Sequence, residues 1–259
     1  MRTVAIANQK GGTAKTATAV NLAAALAERG RRVLVVDLDP QANASAWFGV
    51  RDDGGGLLDV LTDRGQLADL VRRTSVEGVD LVAATPALVG AERALAAEVG
   101  AETLLRRKLG KLPAGRWDYV IFDTPPTLGI LTLSALVASR EVLVPVECHA
   151  VALAGLAQLL QTLDAVRDRL NPELTVAGVL ACRLDGRTRH AQDVLDELRA
   201  KLGRQVLKTA IRESVRFAEA WSFAKPVTAY ASASTGAEDY RALAGEIVAQ
   251  ERKARATHG

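Results

Sequence analysis

The sequence predicts an α/β fold, with a mostly parallel twisted sheet of about seven or eight strands and helices on both faces. Short runs rich in β-branched residues alternate along the chain with longer segments rich in Ala and Leu. Strands that alternate with helices form parallel sheets through right-handed crossovers. Several runs, such as residues 33–36 (VLVV), are apolar without alternation, which is typical of a parallel strand covered on both faces.

Taken in order, the elements follow that pattern. Strands are predicted at residues 2–8, 32–39, 80–85, 118–124, 141–148, 175–184 and 205–211. Helices are predicted at residues 15–29, 90–100, 102–112, 153–170, 191–202 and 236–251. Gly30 follows the first helix in the position where a glycine commonly ends one. Ligands of such sheets bind outside the carboxyl ends of the strands, so functional residues are expected there.

The composition is that of an ordinary globular protein. The chain has 259 residues, of which 49% are apolar and 24% charged, and we expect residues 1–259 to form a single domain. No apolar run reaches the roughly 18 residues of a membrane span, and the amino terminus lacks a signal-peptide pattern. A cytoplasmic protein without a membrane partner is therefore expected. Cys148 and Cys182 lack metal-ligand spacing and are interpreted as buried thiols.

Residues 8–16 (NQKGGTAKT) lie between the first strand and the first helix and are interpreted as a phosphate-binding loop. Glycines there let backbone N–H groups face an anion, and the helix adds the positive end of its dipole. The strict pattern G-x-x-x-x-G-K-[ST] fails at Gln9 and Ala14, so a turn that only joins strand to helix is the alternative. Lys10 is a second cation that such a turn does not need. The predicted nucleotide-binding residues are Gly11, Gly12, Thr13, Ala14, Lys15, Thr16 and Ala17, with Lys15 on the phosphates and Thr16 on Mg²⁺.

Three acids follow predicted strands. Asp37 and Asp39 come at the end of the second strand, and Asp123 at the end of the strand predicted over residues 118–124. An acid at the end of a buried strand is costly unless it meets a cation or a donor, and beside a triphosphate Mg²⁺ is that cation. The alternative is that these acids cap the following helices or loops.

Positive charge is concentrated in one segment. Residues 183–225 contain ten Lys or Arg against six Asp or Glu, which leaves 23 against 24 for the rest of a chain whose totals are 33 and 30. The whole positive excess therefore lies in this segment. Taken alone, such a run of charges is compatible with a solvated helix face.

Three motifs together resemble one family. Residues 10–16 (KGGTAKT), 36–41 (VDLDPQ) and 122–126 (FDTPP) are similar to the deviant Walker A, Walker A′ and Walker B motifs of ParA/Soj-type partition ATPases, within the ParA/MinD superfamily. Residues 144–148 and 212–226 resemble later blocks of the same family. The resemblance covers nearly the whole chain and implies a P-loop NTPase-like fold, ATP hydrolysis to ADP and phosphate, and the cofactors ATP and Mg²⁺.

The resemblance also implies roles for residues. Lys10 matches the lysine that, in the family, crosses an ATP-sandwiched homodimer to the nucleotide of the other subunit. Asp39 matches the acid that positions the attacking water, which with Lys10 and Lys15 completes the implied catalytic set. The residues implied around Mg²⁺ are Thr16, Asp37 and Asp123.

DNA and a protein partner are implied as well. ATP-bound dimers of the family bind double-stranded DNA without sequence preference, and their hydrolysis is stimulated by a ParB-type centromere-binding protein. Arg187 and Arg216 fall where the family has DNA-contacting arginines, and Arg189 and Arg212 are neighbours that could assist. The protein is therefore expected in the cytoplasm in association with the nucleoid.

Ala14 departs from the family pattern, because the family has Gly before the phosphate lysine. If the loop needs a positive φ there, Ala costs on the order of 1 kcal/mol. An ATP-binding but poorly hydrolysing DNA-binding scaffold is therefore one alternative. A MinD-like positioning ATPase is the other, although the carboxyl-terminal tail offers only Ile247 and Val248 as large apolar residues for a membrane anchor.

Overall fold

Eight strands form one sheet in the computed structural model of the chain. The structure describes residues 1–51, 56–96, 98–147, 152–185 and 188–257, and within these the side chains at 152–154, 190 and 252–257 are not described. The strands are β1 (Arg2–Ile6), β2 (Val33–Asp37), β3 (Val71–Arg73), β4 (Val79–Val82), β5 (Tyr119–Asp123), β6 (Glu141–Glu147), β7 (Thr175–Leu184) and β8 (Val206–Arg212). Their order across the sheet is β3-β4-β2-β5-β1-β6-β7-β8.

The sheet is parallel except at one edge. Only the pairing of β3 with β4 is antiparallel among the described strands. The central strands β2 (VLVVD) and β5 (YVIFD) are buried along their whole length, as their unbroken apolar runs predict. The predicted mostly parallel sheet of seven or eight strands is confirmed.

β3 was not predicted. It has three residues, and both of its arginines are exposed. A short edge strand pairs through its backbone and needs no apolar pattern, and charged side chains keep such an edge from pairing further. The sequence signal for a strand was therefore absent here.

Helices connect the strands. They are α1 (Lys15–Ala27), α2 (Asn43–Trp47), α3 (Gly56–Leu61), α4 (Ala91–Leu95), α5 (Leu104–Leu109), α6 (Ile130–Ala138), α7 (Ala152–Arg169), α8 (Arg189–Leu202), α9 (Arg216–Ser222), α10 (Val227–Tyr230) and α11 (Thr235–Thr257). Short 3₁₀ turns lie at Leu67–Leu70, Pro86–Gly90, Ala101–Thr103 and Gly203–Gln205.

The helix predictions need correction in places. The helix predicted over residues 90–100 is only Ala91–Leu95, and the one predicted over 102–112 is only Leu104–Leu109. α2, α3, α6, α9 and α10 were not predicted. Most of these are too short to show a period of 3.6 residues, and α6 is apolar nearly all round, so an amphipathic pattern cannot reveal it.

Two apolar cores cover the two faces of the sheet. One core joins the sheet to helices α3 to α8, and the other joins it to α1, α2, α9, α10 and α11. The prediction of helices on both faces is confirmed. Cys182 is buried in the second core, whereas Cys148 lies outside the described residues.

Within the described part of the chain, no helix has both the length and the apolar character needed to span a bilayer.

Candidate nucleotide site

The loop between β1 and α1 has two residues with left-handed backbone. Gly12 has φ of 79° and Ala14 has φ of 62° with ψ of 25°. Gly12 adopts this conformation without penalty. Ala14, the residue directly before α1, does not, because its Cβ approaches the following carbonyl oxygen at a cost on the order of 1 kcal/mol. The loop therefore does need a positive φ at residue 14, and Ala14 carries the expected strain.

Hydrogen bonds made by Asn8 and Thr13 fix the shape of the loop. Asn8 is buried; its Nδ2 donates to the carbonyl of Pro145 at 2.7 Å, and its Oδ1 accepts from the N–H of Lys10 at 3.1 Å. The Thr13 hydroxyl donates to the carbonyl of Lys10 at 3.1 Å. The loop is therefore tied both to β6 and to itself. Asn8 was not singled out from the sequence, although it is the first residue of the phosphate-loop stretch.

Lys15 lies inside this loop. Its side chain is buried and its Nζ donates to the carbonyl of Lys10 at 3.2 Å. Burial lowers the pKa of Lys15, while the carboxylates of Asp123 and Asp39 act in the opposite direction. The ammonium is thus held close to both acids, in the region where the phosphates of a nucleotide are expected.

Asp37 is buried at the end of β2 with both carboxylate oxygens engaged. Oδ1 accepts from the N–H of Asp39 at 3.1 Å, and Oδ2 accepts from the N–H and the hydroxyl of Ser45 at 2.9 and 2.7 Å. Burial raises the pKa of Asp37 to about 6, although the bonds from Ser45 and Asp39 oppose the shift. The same Ser45 hydroxyl accepts from the N–H of Ala84 at 3.0 Å. Asp37 therefore anchors the start of α2 and, through it, β4.

Asp123 is equally buried but lacks such bonds. It lies directly opposite Asp37 across β2 and β5, and neither of its oxygens has a hydrogen-bond partner among the described residues. Burial and the neighbouring charge of Asp37 raise its pKa well above the usual range. The Thr16 hydroxyl and the charge of the nearby Lys15 act in the opposite direction and lower this pKa.

This unpaired carboxylate fits a divalent cation. A buried charge without a partner is costly, and Mg²⁺ commonly takes one or two carboxylates together with phosphate oxygens and water. In the part of the chain that the structure describes, no three His, Cys, Asp or Glu side chains could surround a metal by themselves. The residues present therefore suit a cation that is held partly by a bound phosphate.

Asp39 is nearly buried where the chain leaves β2. Its Oδ1 accepts from the N–H of Gln41 at 3.0 Å, which fixes the carboxylate relative to its own backbone. Together with the contacts above, this places Asp39 in the same electrostatic environment as Lys15 and Asp123. The structure therefore brings the phosphate loop and all three predicted acids to one place, at the carboxyl ends of β1, β2 and β5.

An open cleft of about 930 Å³ adjoins the loop. Gly12, Ala14 and Ala17 line one side, and the other side comes from residues that follow β7 and β8, including Phe217 and Tyr240. The cleft is large enough for a nucleoside.

Glu147 and Arg183 were missed as site residues. Glu147 ends β6 and its side chain is only 7% exposed. Arg183 Nη1 donates to Glu147 Oε1 at 2.8 Å, and Lys10 Nζ lies 3.9 Å from Glu147 Oε2. The rule that drew attention to Asp37 and Asp123, an acid at the carboxyl end of a buried strand, could have found Glu147.

The predicted DNA-binding arginines are not equivalent. Arg189 begins α8 and Arg216 begins α9, and both are exposed. Arg212 instead lines the cleft, and its guanidinium contacts both carboxylate oxygens of Asp239 on α11, the shortest distance being 2.7 Å. Arg187 lies outside the described residues. Arg189, Arg212 and Arg216 are therefore all exposed, but Arg212 also holds α11 through Asp239.

Comparison with known proteins agrees with this geometry. A family model described as an AAA domain matches residues 1–176. The chromosome-partitioning ATPase Soj of Thermus thermophilus is 48% identical over 254 residues, covering 98% of each chain. The sporulation initiation inhibitor protein Soj of Bacillus subtilis is 44% identical over 248 residues, covering 95% of this chain and 98% of that protein.

A solved structure is similar along its whole length as well. It is a crystal structure from Mycobacterium smegmatis described as cobyrinic acid a,c-diamide synthase with bound ATP analogue and magnesium. The TM-score is 0.82 at 38% identity, with 95% of this chain and 93% of that chain covered. The matches extend almost from end to end, and the three Walker-type motifs lie at the strand ends where the site is built. The chain therefore belongs to the ParA/Soj family of chromosome-partitioning ATPases.

Proposed function

We propose that this chain is an ATP-dependent DNA partition ATPase. ATP binding drives formation of a nucleotide-sandwich homodimer, the dimer binds double-stranded DNA without sequence preference, and hydrolysis stimulated by a ParB-type protein releases it. The observation that carries the proposal is the buried, unpaired carboxylate of Asp123 beside Lys15 and Thr16. A turn that only joined strand to helix would have no reason to keep a buried carboxylate without a hydrogen-bond partner there.

ATP and Mg²⁺ are the cofactors of this proposal, as the M. smegmatis relative holds an ATP analogue and magnesium. Loop N–H groups and Lys15 would bind the phosphates, and the cleft lined by Phe217 and Tyr240 would accept the nucleoside. Thr16 and Asp123 would hold Mg²⁺ directly. Asp37 would act through water, because both of its oxygens are already bonded. Bound Mg²⁺ supplies positive charge that neutralises the phosphate oxygens.

Asp39 is the residue proposed to position the attacking water. The N–H of Gln41 holds its Oδ1, which leaves Oδ2 to accept a hydrogen bond from water. Lys15 would stabilise the negative charge that develops on the transferred phosphoryl group, since it is already held against Lys10 and the acids. Catalysis of this kind depends on positioning and electrostatics rather than on covalent chemistry.

Lys10 is proposed to reach the nucleotide of a second subunit. Its backbone is fixed by Asn8 and Thr13, but its side chain is 47% exposed and can therefore extend away from its own subunit. A cation placed at the phosphates from the partner would stabilise the dimer while ATP is intact. It would also stabilise the transition state, as an arginine finger does.

DNA binding is proposed to involve Arg187, Arg189 and Arg216, with Arg212 in a supporting position. The exposure of Arg189 and Arg216 supports direct contacts with backbone phosphates. Such contacts are sequence-independent and weaken steeply with salt. Because Arg212 is bonded to Asp239, its support would come from holding α11 against β8 rather than from a phosphate contact.

The test is binding to a non-specific DNA duplex with ATP, with ADP and without nucleotide, at low and at moderate salt. We expect strong, salt-sensitive binding only with ATP, lost in Lys10→Ala and kept in the control Lys111→Ala, which removes an exposed lysine outside the site. Equal binding in all three nucleotide states, or full binding by Lys10→Ala, would contradict the proposed switch.

A poorly hydrolysing DNA-binding scaffold is the second candidate, and the positive φ of Ala14 favours it. The Ala14 methyl lies beside the phosphate loop, where the family has Gly, and could hinder approach of the phosphates or of a second subunit. Measured ATP turnover separates the two candidates. Turnover that is stimulated by a ParB-type partner supports the partition ATPase, and nucleotide binding without turnover supports the scaffold.

A further inference from the structure

A small group of charged side chains borders the phosphate loop, and the proposed function uses only its lysine. It consists of Lys10, Glu147 and Arg183, and we refer to it as the rim cluster. Glu147 is almost buried, whereas the side chains of Lys10 and Arg183 are 47% and 53% exposed. A nearly buried carboxylate thus lies near two partly exposed cations.

The two cations contact Glu147 unequally. Arg183 Nη1 donates to Glu147 Oε1 at 2.8 Å, and another nitrogen of the same guanidinium lies 3.4 Å from Glu213. Lys10 Nζ is 3.9 Å from Glu147 Oε2, which is too long for a good hydrogen bond. Arg183 therefore provides most of the compensation for the Glu147 charge within the rim cluster, and Lys10 is held only weakly.

The position of Glu147 makes this compensation important. A Cβ added to Gly12 would lie 3.9 Å from Glu147 Oε1, so the carboxylate lies against the loop that is proposed to bind phosphates. Arg183 lines the same cleft as Gly12 and Ala14. A carboxylate in this place repels a triphosphate unless a cation neutralises it.

The backbone conformation of Arg183 indicates that its contacts hold this residue in place. Its φ is 53°, a left-handed conformation that a residue with a Cβ rarely adopts. Such strained residues persist where the surroundings fix them, and they cluster at functional sites. The ion pairs with Glu147 and Glu213 are contacts that can hold Arg183 in this conformation.

We propose that Arg183 is a positioning residue for Lys10. By neutralising Glu147, it prevents that carboxylate from holding Lys10 on its own subunit and from repelling the phosphates. Lys10 then remains available for the nucleotide of a second copy. This inference rests on the proposed function, because the role of Lys10 in a nucleotide-dependent dimer belongs to it. If Arg183 is removed, Lys10 is the cation of the rim cluster that can still pair with Glu147.

The test compares Arg183→Met, Glu147→Gln and the double variant. Methionine removes the charge but keeps an unbranched side chain and a Cβ at the left-handed position. Dimerisation is measured by sedimentation with a non-hydrolysable ATP analogue and Mg²⁺, and nucleotide affinity by fluorescence titration. For Arg183→Met we expect the dimer dissociation constant to rise about tenfold and nucleotide affinity to fall severalfold.

Restoration by the second substitution is the decisive measurement. With Glu147→Gln added, no carboxylate remains to hold Lys10 or to repel phosphate, so both properties should return to within about twofold of the wild type. A purely structural role of the Arg183 to Glu147 pair would appear as a loss of thermal stability in Arg183→Met that the double variant restores. Thermal unfolding is therefore measured as well, and the change in dimerisation must be present at temperatures where all the variants are folded. The matched control is Arg32→Met, since Arg32 is 54% exposed and is paired with Asp118 at 3.0 Å near the start of β2, away from the loop.

The outcomes separate this inference from the proposed function. Wild-type behaviour of Arg183→Met, or a double variant no better than Arg183→Met, overturns the inference even if the wild type dimerises with nucleotide. A wild type that binds nucleotide but does not dimerise contradicts the role of Lys10. The nucleotide affinities of the same variants then decide whether Arg183 neutralises Glu147. Should Arg183→Met not fold, Arg183→Gln makes the same comparison.

Discussion

Asp37 and Asp123 lie directly opposite each other at the carboxyl ends of β2 and β5, both fully buried, yet among the described residues only Asp37 has hydrogen-bond partners. Ser45 and the backbone of Asp39 satisfy Asp37. Because their hydrogen bonding differs, the two aspartates have different roles. Asp37 fixes the loop that carries Asp39, and Asp123 keeps its oxygens available for a cation.

Replacing Asp123 with Asn should stabilise the nucleotide-free protein. Burial and the charge of Asp37 disfavour the ionised Asp123 more than Thr16 and Lys15 favour it, as its raised pKa indicates. Removing this carboxylate should therefore raise the free energy of unfolding by roughly 1 to 2 kcal/mol at neutral pH. The stabilisation that Mg²⁺ with ATP gives the wild type should largely disappear, because the cation loses its carboxylate. Urea unfolding with and without Mg²⁺ and ATP measures both effects.

Asp118→Asn is the control, because it should change stability in the opposite direction. Asp118 is paired with Arg32 at 3.0 Å, and that arginine lowers the pKa of Asp118. Loss of its charge should therefore destabilise the protein slightly and leave the response to Mg²⁺ and ATP unchanged. If Asp123→Asn destabilised the protein as Asp118→Asn does, the charge of Asp123 would be stabilised by its surroundings in solution.

The raised pKa of Asp37 predicts that the nucleotide-free protein becomes more stable as the pH falls from 7 to 5. The folded state binds a proton on this carboxyl near pH 6, whereas the unfolded state binds it near pH 3.9. Between these values the folded state holds more protons, so stability falls as pH rises. We expect Asp37 to contribute about 1 kcal/mol over this range, and Asp123 to act in the same direction.

Unfolding in urea at pH 5, 6 and 7 measures this dependence. In Asp37→Asn the slope between pH 5 and 7 should be smaller, whatever that substitution does to stability at any single pH. A slope as large as that of the wild type would mean that Asp37 is ionised in the folded protein throughout the range.

Much of this site could be predicted from the sequence, because the positions of its residues follow from where the parallel strands end. The carboxyl ends of parallel strands lie at one edge of a sheet. That Asp37, Asp39 and Asp123 lie near the phosphate loop could therefore be predicted from their positions after apolar runs. The contacts of Asp37 with Ser45 and of Arg212 with Asp239 could not be predicted. They depend on how α2 and α11 pack. Nothing local in the sequence distinguishes Arg212, which is paired with Asp239 of another element, from Arg216, which is paired with Glu219 of its own helix.

Ala14→Gly should relieve the strain in the phosphate loop. Glycine tolerates the left-handed conformation of residue 14, while its greater freedom in the unfolded chain offsets part of the gain, so we expect a net stabilisation below about 1 kcal/mol. ATP turnover should rise if the methyl group hinders the phosphates. Thermal unfolding and single-turnover hydrolysis give the two results.

Ala224→Gly is the matched control for that substitution. Ala224 has φ of 50° but lies after α9, outside the phosphate loop, so its replacement should give a similar gain in stability with no change in turnover. If both variants raised turnover equally, general stabilisation and not the geometry of the loop would be the cause.

Arg216→Ala and Arg212→Ala should differ in their effects on DNA binding. Arg216 is exposed and paired only with Glu219 of its own helix among the described residues, at 2.6 Å, so it can exchange that partner for a phosphate. Its loss should lower non-specific affinity and reduce the slope of log K against log salt by about 0.9. Loss of Arg212 should leave that slope unchanged and lower thermal stability instead, because Asp239 then has no guanidinium partner.

Fluorescence anisotropy with a labelled duplex at several salt concentrations, together with thermal unfolding, separates the two effects. A slope reduced equally by both substitutions would mean that Arg212 leaves Asp239 to contact DNA.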